Sequence, residues 1–215
     1  MSAKLNVLQL GSPTEVVTPR LCLREPRRAD LEGLHDAILE TLPELVHWLP
    51  WARRGHSRSD TRRYLRGARL ARAQRSTFEF VVEKRADGAI VGIASLHRID
   101  WMRRSAGLGY WVRTRDWGAG LATEAAGGLA LHAFEVLGLN RLEAHVALDN
   151  SASHRVVARV GFRREGIARE SERIGEEWVD HVQYSLLARD AVGKLGFLDL
   201  PEPRAPVVGT GREPA

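Results

Sequence analysis

Cysteine is nearly absent: Cys22 is the only one in 215 residues, so no disulfide can form within the chain. That suits a reducing compartment, and the cytoplasm is the expected location. Cys22 lies inside "RLCLRE", a strand-like stretch, where a thiol packs as a small hydrophobe. Long apolar runs are missing too. Nothing approaches the ~20 residues a membrane helix needs, and no membrane partner is expected. The opening "MSAKLNVLQLGSPTE" lacks the apolar core and small-residue cleavage site of a secretory signal. None of the histidines has a companion Cys or His at ligand spacing, so no metal is expected. Internal repeats are absent.

What is present is an ordinary globular composition, 44% hydrophobic and 27% charged, which a single domain can use to bury a core without staples. The net charge of +5 is carried mostly by arginine and mildly favours acidic partners such as phosphorylated cofactors, RNA or acidic peptides. Residues 1–13 read as a flexible leader, 14–198 as the domain, and 199–215 as a disordered tail rich in Pro and Gly. Whether the chain is a monomer or a homodimer is left open.

Along the domain, "TEVVTPRLCLREP" reads as one strand approached through a proline. Residues 29–41 and 57–75 read as helices, with "PELVHWLPWARRG" between them. "TFEFVVEK" and "AIVGIASLHRID" form a hairpin around "RADG", and "AGLGYWVR" is the next strand. A helix over about 119–137 ends at Gly138, the expected left-handed cap. "RLEAHVAL" alternates Leu142, Ala144, Val146 and Leu148 on one face and is a strand. "NSASHRVVARVGF" is a short helix with Val156, Val157 and Val160 inward, stopped by Gly161. "RREGIAR" and "EEWVDHVQYSLLARD" close the fold as two strands. The fold class is α+β, with a mostly antiparallel sheet of about seven strands and about four helices.

"RDWGAGLAT" places Gly118 and Gly120 at the mouth of the long helix. A helix N-terminus offers unpaired N–H groups and partial positive charge, and glycine lets backbone approach a phosphate. The same residues serve equally well as a tight strand-to-helix turn with no ligand. A Walker A loop needs a lysine, which is missing here. A dinucleotide fingerprint wants a third small residue where Thr123 stands, and an acid at the end of the next strand, whereas Glu143 stands near its start.

The pattern Arg115-x-x-Gly118-x-Gly120, with "GYWV" before it, "TEAA" after it and "NSASHRVVARVGF" thirty residues on, resembles the GNAT acetyltransferase superfamily. It is most similar to the branch that acetylates N-terminal amines of ribosomal proteins. "TPRLCLRE" and the "WLPW" of residues 48–51 belong to the same resemblance, which covers roughly residues 14–190. The resemblance implies an α/β/α sandwich with a central, splayed parallel strand pair, and acetyl-CoA as co-substrate. It implies that backbone of Trp111, Val112 and Arg113 pairs with the pantetheine arm, with an oxyanion contact near Val112. It implies that the pyrophosphate rests on the loop Arg115, Trp117, Gly118, Ala119, Gly120, Leu121 and Ala122, with Thr123 nearby, and that Asn150 binds the pantetheine. Many relatives carry an acidic tyrosine where this chain has Val157, and a glutamate base where it has Gly107. The acid role therefore moves to Ser153 and the base role to Glu172.

Arg58, Arg62, Arg66, Arg69 and Arg72 fall on one stripe of the helix, either a solvated basic face or a weak contact with RNA or the ribosome. Trp48 reads as core, while Trp51, beside Arg53 and Arg54, is a candidate substrate contact. His97 is a second such candidate on its strand, with a hydrogen-bonded structural role as the plain alternative. Gly127 and Gly128 inside the long helix imply close approach to the sheet. The acceptor is expected to be a protein or peptide α-amine. A small-molecule amine, or a silent acyl-CoA-binding or RNA-binding module, is the alternative.

Overall fold

A computed structural model describes residues 15–191; the expected leader and tail lie outside the described residues. Eight strands form one sheet: β1 (Glu15–Val17), β2 (Leu21–Arg24), β3 (Phe78–Lys84), β4 (Ile90–Asp100), β5 (Ser105–Val112), β6 (Arg141–Ala147), β7 (Arg163–Ile174) and β8 (Glu177–Leu187). The order across the sheet is β1-β2-β3-β4-β5-β6-β8-β7. Only β5 and β6 run parallel. The helices are α1 (Leu31–Leu45), α2 (Arg58–Ala73), α3 (Leu121–Glu135), α4 (Ser151–Val160) and the short α5 (Ala188–Ala191). One apolar core lies between the sheet and α3/α4, and a smaller one between the sheet and α1/α2. The α/β/α sandwich is present.

Several expected signals act as read. The turn after β3 places Gly88 at φ +73°, and Gly138 and Gly161 end α3 and α4 at φ +66° and +102°. Those left-handed values favour glycine because a Cβ would meet the neighbouring carbonyl. Gly128 permits close packing, since a Cβ there would sit 2.7 Å from Thr18 Cγ2.

Other readings are corrected. The first expected strand is two, β1 and β2, paired antiparallel around Thr18–Arg20; Pro19 makes the bend, and the sheet gains its eighth strand. Helix α1 runs to Leu45, through Pro43. The proline is exposed and sits in the last turn, where a missing N–H and a displaced carbonyl are least disruptive. Helix α3 starts at Leu121 rather than 119, because Gly120 is left-handed at φ +78°. Leu148 lies beyond β6 and is exposed.

Arg72 leaves the basic stripe. Thr61, Leu65, Ala68 and Arg72 repeat at i, i+4, i+7, i+11, which is the buried face of α2. Its guanidinium lies over the rings of Phe78 and Phe80, 5.1 and 5.0 Å from their centroids. Arg58, Arg62, Arg66 and Arg69 remain exposed.

Candidate active site

Strands β5 and β6 pair only at Ser105↔Arg141, Ala106↔Leu142 and Gly107↔Glu143. Beyond Gly107 they part, and each is held by its outer neighbour, β4 or β8. A cleft of about 1020 Å³ passes through the gap and reaches both faces of the sheet. Its walls include Leu108–Val112 on one side and Ala144–Ala147 with Asn150 on the other.

Which backbone groups face the gap follows from antiparallel alternation. Arg113 N–H donates to Val91 O at 2.7 Å, so Arg113 and, two residues back, Trp111 turn toward β4. Tyr110 and Val112 turn toward the gap. The Val112 carbonyl is already occupied, accepting from Trp117 Nε1 at 2.7 Å. Of the three expected backbone partners, only Val112 N–H therefore points into the gap, and Tyr110 joins it. The Arg113 side chain is buried and ion-paired with Glu40, Nη2 to Oε2 2.5 Å. Burial would raise the Glu40 carboxyl, but hydrogen bonds from Arg113 and Arg115 outweigh it and hold the pKa low.

In the loop, Gly118 and Gly120 both have φ +78°. The backbone itself therefore demands glycine, which is the physical reason for this pattern at a strand-to-helix junction. The anion-facing set is shorter than expected. Arg115 N–H points to Glu40 Oε1 at 3.3 Å, and Trp117 N–H to Thr114 O at 3.1 Å. The amides of Gly118, Ala119, Gly120 and the first α3 turn, Leu121, Ala122 and Thr123, have no partner among the described residues. Arg20, which the sequence did not single out, stands against the loop: its Nη1 donates to Ala119 O at 2.8 Å and its Nε to buried Glu124 at 2.6 Å. Burial would raise Glu124, yet bonds from Thr18 and Arg20 keep its pKa lowered. The "TEAA" glutamate thus ties the β1–β2 turn to α3.

Helix α4 begins where β6 leaves the gap. Asn150 caps it, with Oδ1 accepting from Ser153 N–H at 3.0 Å. Ser153 lines the cleft in the first turn, while Val157 is 1% exposed. Tyr110 Oη donates to the Ser153 carbonyl at 3.3 Å, so a phenol does stand beside this turn, supplied by β5 rather than α4.

On the opposite face of the sheet, register aligns a second group. His97 pairs with Gly107 and Ser95 with Gly109 across β4–β5; His145 and Ala147 on β6 oppose Gln183 and His181 on β8; Glu172 on β7 opposes Val179. Directly opposed residues share a face, so His97, His145, His181 and Glu172 line one side of the cleft. Half-buried Glu79 joins them from β3, bonded by Tyr64 Oη at 2.8 Å. Burial raises the pKa of Glu79 and of Tyr64. Trp51 is 45% exposed at the rim, edge-on to His56. Trp48 also lines the cleft and is not part of either core. The His97 ring makes no hydrogen bond to the described residues, so a structural role resting on a ring hydrogen bond does not apply to it. The sequence held the signal for His145: if Leu142, Ala144 and Val146 face the core, His145 must face away.

Among the described residues no cluster could hold a metal, and no helix is long and apolar enough to cross a membrane. Compared with known proteins, residues 20–163 match the family described as acetyltransferase (GNAT) domain. The Bacillus subtilis (strain 168) protein named "Putative ribosomal N-acetyltransferase YdaF" is 34% identical over 180 residues, 84% of this chain and 96% of that protein. The ribosomal-protein-serine acetyltransferase of Escherichia coli (strain K12) is 26% identical over 150 residues, 70% of this chain and 83% of that one. The solved structure of Mycobacterium smegmatis RimJ in complex with CoA-disulfide superposes with a TM-score of 0.78 at 28% identity, covering 86% of this chain and 94% of that one.

Proposed function

The chain belongs to the GNAT acetyltransferase family, and on that premise we propose that it transfers the acetyl group of acetyl-CoA to the α-amine at a protein or peptide N-terminus. The observation that carries this reading is the single cleft crossing the sheet at the β5–β6 gap. One end meets the glycine loop and the N-terminus of α3, whose unpartnered amides suit a pyrophosphate. The gap offers strand backbone at Tyr110 to a pantetheine arm. The other end is rimmed by Trp48 and Trp51, the latter 45% exposed, and in this reading it admits a chain end.

In this reading the chain's own groups divide the work. Val112 N–H is turned toward the gap, where it can receive developing negative charge on the thioester oxygen. Ser153, in the first turn of α4, hydrogen-bonds the sulfur as charge grows there. Glu172 stands at the mouth on the acceptor face and receives the released proton through water. An α-amine, with pKa about 7.7–8.0 against about 10.4 for lysine, is partly neutral at neutral pH and is the easier nucleophile. The similarity to ribosomal acetyltransferases points to protein N-termini.

The test is release of free CoA thiol from acetyl-CoA with peptides beginning in Ala or Ser, lysine peptides with blocked N-termini, and small amines. Preference for the free N-termini supports the proposal. Preference for a small amine, or for blocked lysine peptides, overturns it.

A further inference from the structure

His97 is the least accounted-for group in the cleft. Its strand carries an irregularity at this point: the register of β4 against β5 shifts between His97 and Asp100, and Arg98 is left-handed at φ +50°. A bulge re-aims side chains, and a non-glycine residue at positive φ is strained and gathers at functional sites. Here it accompanies an imidazole that lies flat on β5. A Cβ built on Gly107 would stand 2.4 Å from His97 Nε2, and one built on Gly109 would stand 3.5 Å from Cε1. Gly107 is also the last residue of β5 to pair with β6. The ring therefore fills the space above the point where the strands part, opens to the cleft, and has no hydrogen-bond partner among the described residues.

His97 occupies the space that any side chain at position 107 would need. Resting on the transferase reading above, we propose that His97 is the catalytic base: a ring nitrogen takes the proton from the acceptor amine as it attacks. The amine lone pair forms the C–N bond at the thioester carbonyl carbon. One N–H proton passes to the imidazole. The C–S bond breaks, its electron pair leaving on sulfur, where Ser153 donates a hydrogen bond. The imidazolium then gives up its proton toward His145 and Glu172 on the same face, and so to solvent.

The surroundings suit this role. Burial, then Arg98 on its own strand and His145 on β6, push the His97 pKa down to about 4, so the ring stays neutral and ready to accept at neutral pH. His145, lowered by burial and Arg98, has Glu143, His181 and Glu172 around it. Glu79 and Tyr64, on β3 and α2, face the same cleft. So weak a base is useful only toward a strong acid. The nitrogen becomes one once it has given its lone pair to carbon, and is then far more acidic than the free ammonium.

The test compares variants on whichever amine of the panel the wild type acetylates fastest, so that a wrong acceptor and a wrong base give different results. His97→Ala is expected to lower kcat by roughly 10²–10⁴-fold. Added imidazole, entering the vacated space over Gly107, should recover part of that loss. The double variant His97→Ala/Gly107→Glu should recover rate without imidazole, because the removed ring frees the place for a carboxylate, while Gly107→Glu alone collides with His97. An unchanged rate in His97→Ala, or a loss that neither imidazole nor the glutamate recovers, overturns the assignment. A wild type that releases no thiol with any amine overturns both this inference and the transferase reading.

Discussion

On the α3/α4 side of the sheet the cleft is made largely of backbone, two left-handed glycines, the opening amides of α3 and the free edge of β5, with Tyr110, Asn150 and Ser153 beside it. On the α1/α2 side it is made of side chains: His97, His145, His181, Glu79, Glu172 and the two tryptophans. Backbone geometry suits a ligand that never changes. Side chains can alter without disturbing the sheet, so acceptor choice and proton chemistry can be set there. The comparison teaches that substitutions should fail differently by the kind of group they touch, in binding at the backbone loop and in turnover at the side chains that face the reacting atoms, Ser153 on α4 among them.

The largest effect is expected at Gly120. Gly120→Val forces a β-branched residue to φ +78° and puts methyl groups over the loop amides. Affinity for acetyl-CoA, read by calorimetry, should fall by about 100-fold or more, equivalent to roughly 2.7 kcal/mol. An unchanged affinity in folded protein would remove the loop from the binding site and break the comparison. Next is Ser153→Ala, expected to lower kcat by about 10²-fold with acetyl-CoA affinity unchanged, as stopped-flow and equilibrium binding can separate. If affinity fell and kcat held, Ser153 would belong to the binding half.

Much of this division was legible in the sequence, and the reason is local. Gly88, Gly120, Gly138 and Gly161 answer to the φ of a single residue, so their types declare the turns and caps. The alternation of Leu142, Ala144 and Val146 declares the face of β6. The rest depended on what packs against what. Arg72 looked like surface charge until β3 brought Phe78 and Phe80 beneath it. Pro43 opens the stretch read as lying between two helices, but it sits exposed in the last turn of α1. Arg113 and Arg115 looked like loop ligands until α1 supplied Glu40. His97 and Gly107 are ten residues apart, and nothing local says that one fills the space above the other.

A smaller effect separates titration from function. His132 on α3 sits edge-on to Phe80 with its Nε2 shut away from solvent and unpartnered, and burial, then Arg72, hold its pKa down to about 4 from 6.5. The folded state binds the proton less well than the unfolded state. Stability is thus fully present above pH 6.5 and lost as pH falls toward 4, by up to about 3 kcal/mol. His132→Phe should flatten that slope in urea titrations between pH 7 and 4 and leave kcat at neutral pH unchanged. A slope that persists would place the acid sensitivity elsewhere, with His97 the next group to test by the same substitution. The smallest effect is expected for Arg62→Ala and Arg66→Ala, exposed on α2: within about 0.5 kcal/mol in stability, with no change in turnover.

The most direct measurement is mass spectrometry of one peptide that carries both a free N-terminal Ser and an internal lysine, incubated with the protein and acetyl-CoA at neutral pH. Acetyl on the α-amine, with the lysine unmodified, is the expected result. Acetyl on the lysine, or no transfer while a small amine in the same mixture is acetylated, would contradict the assignment of the tryptophan-rimmed end of the cleft to a protein N-terminus.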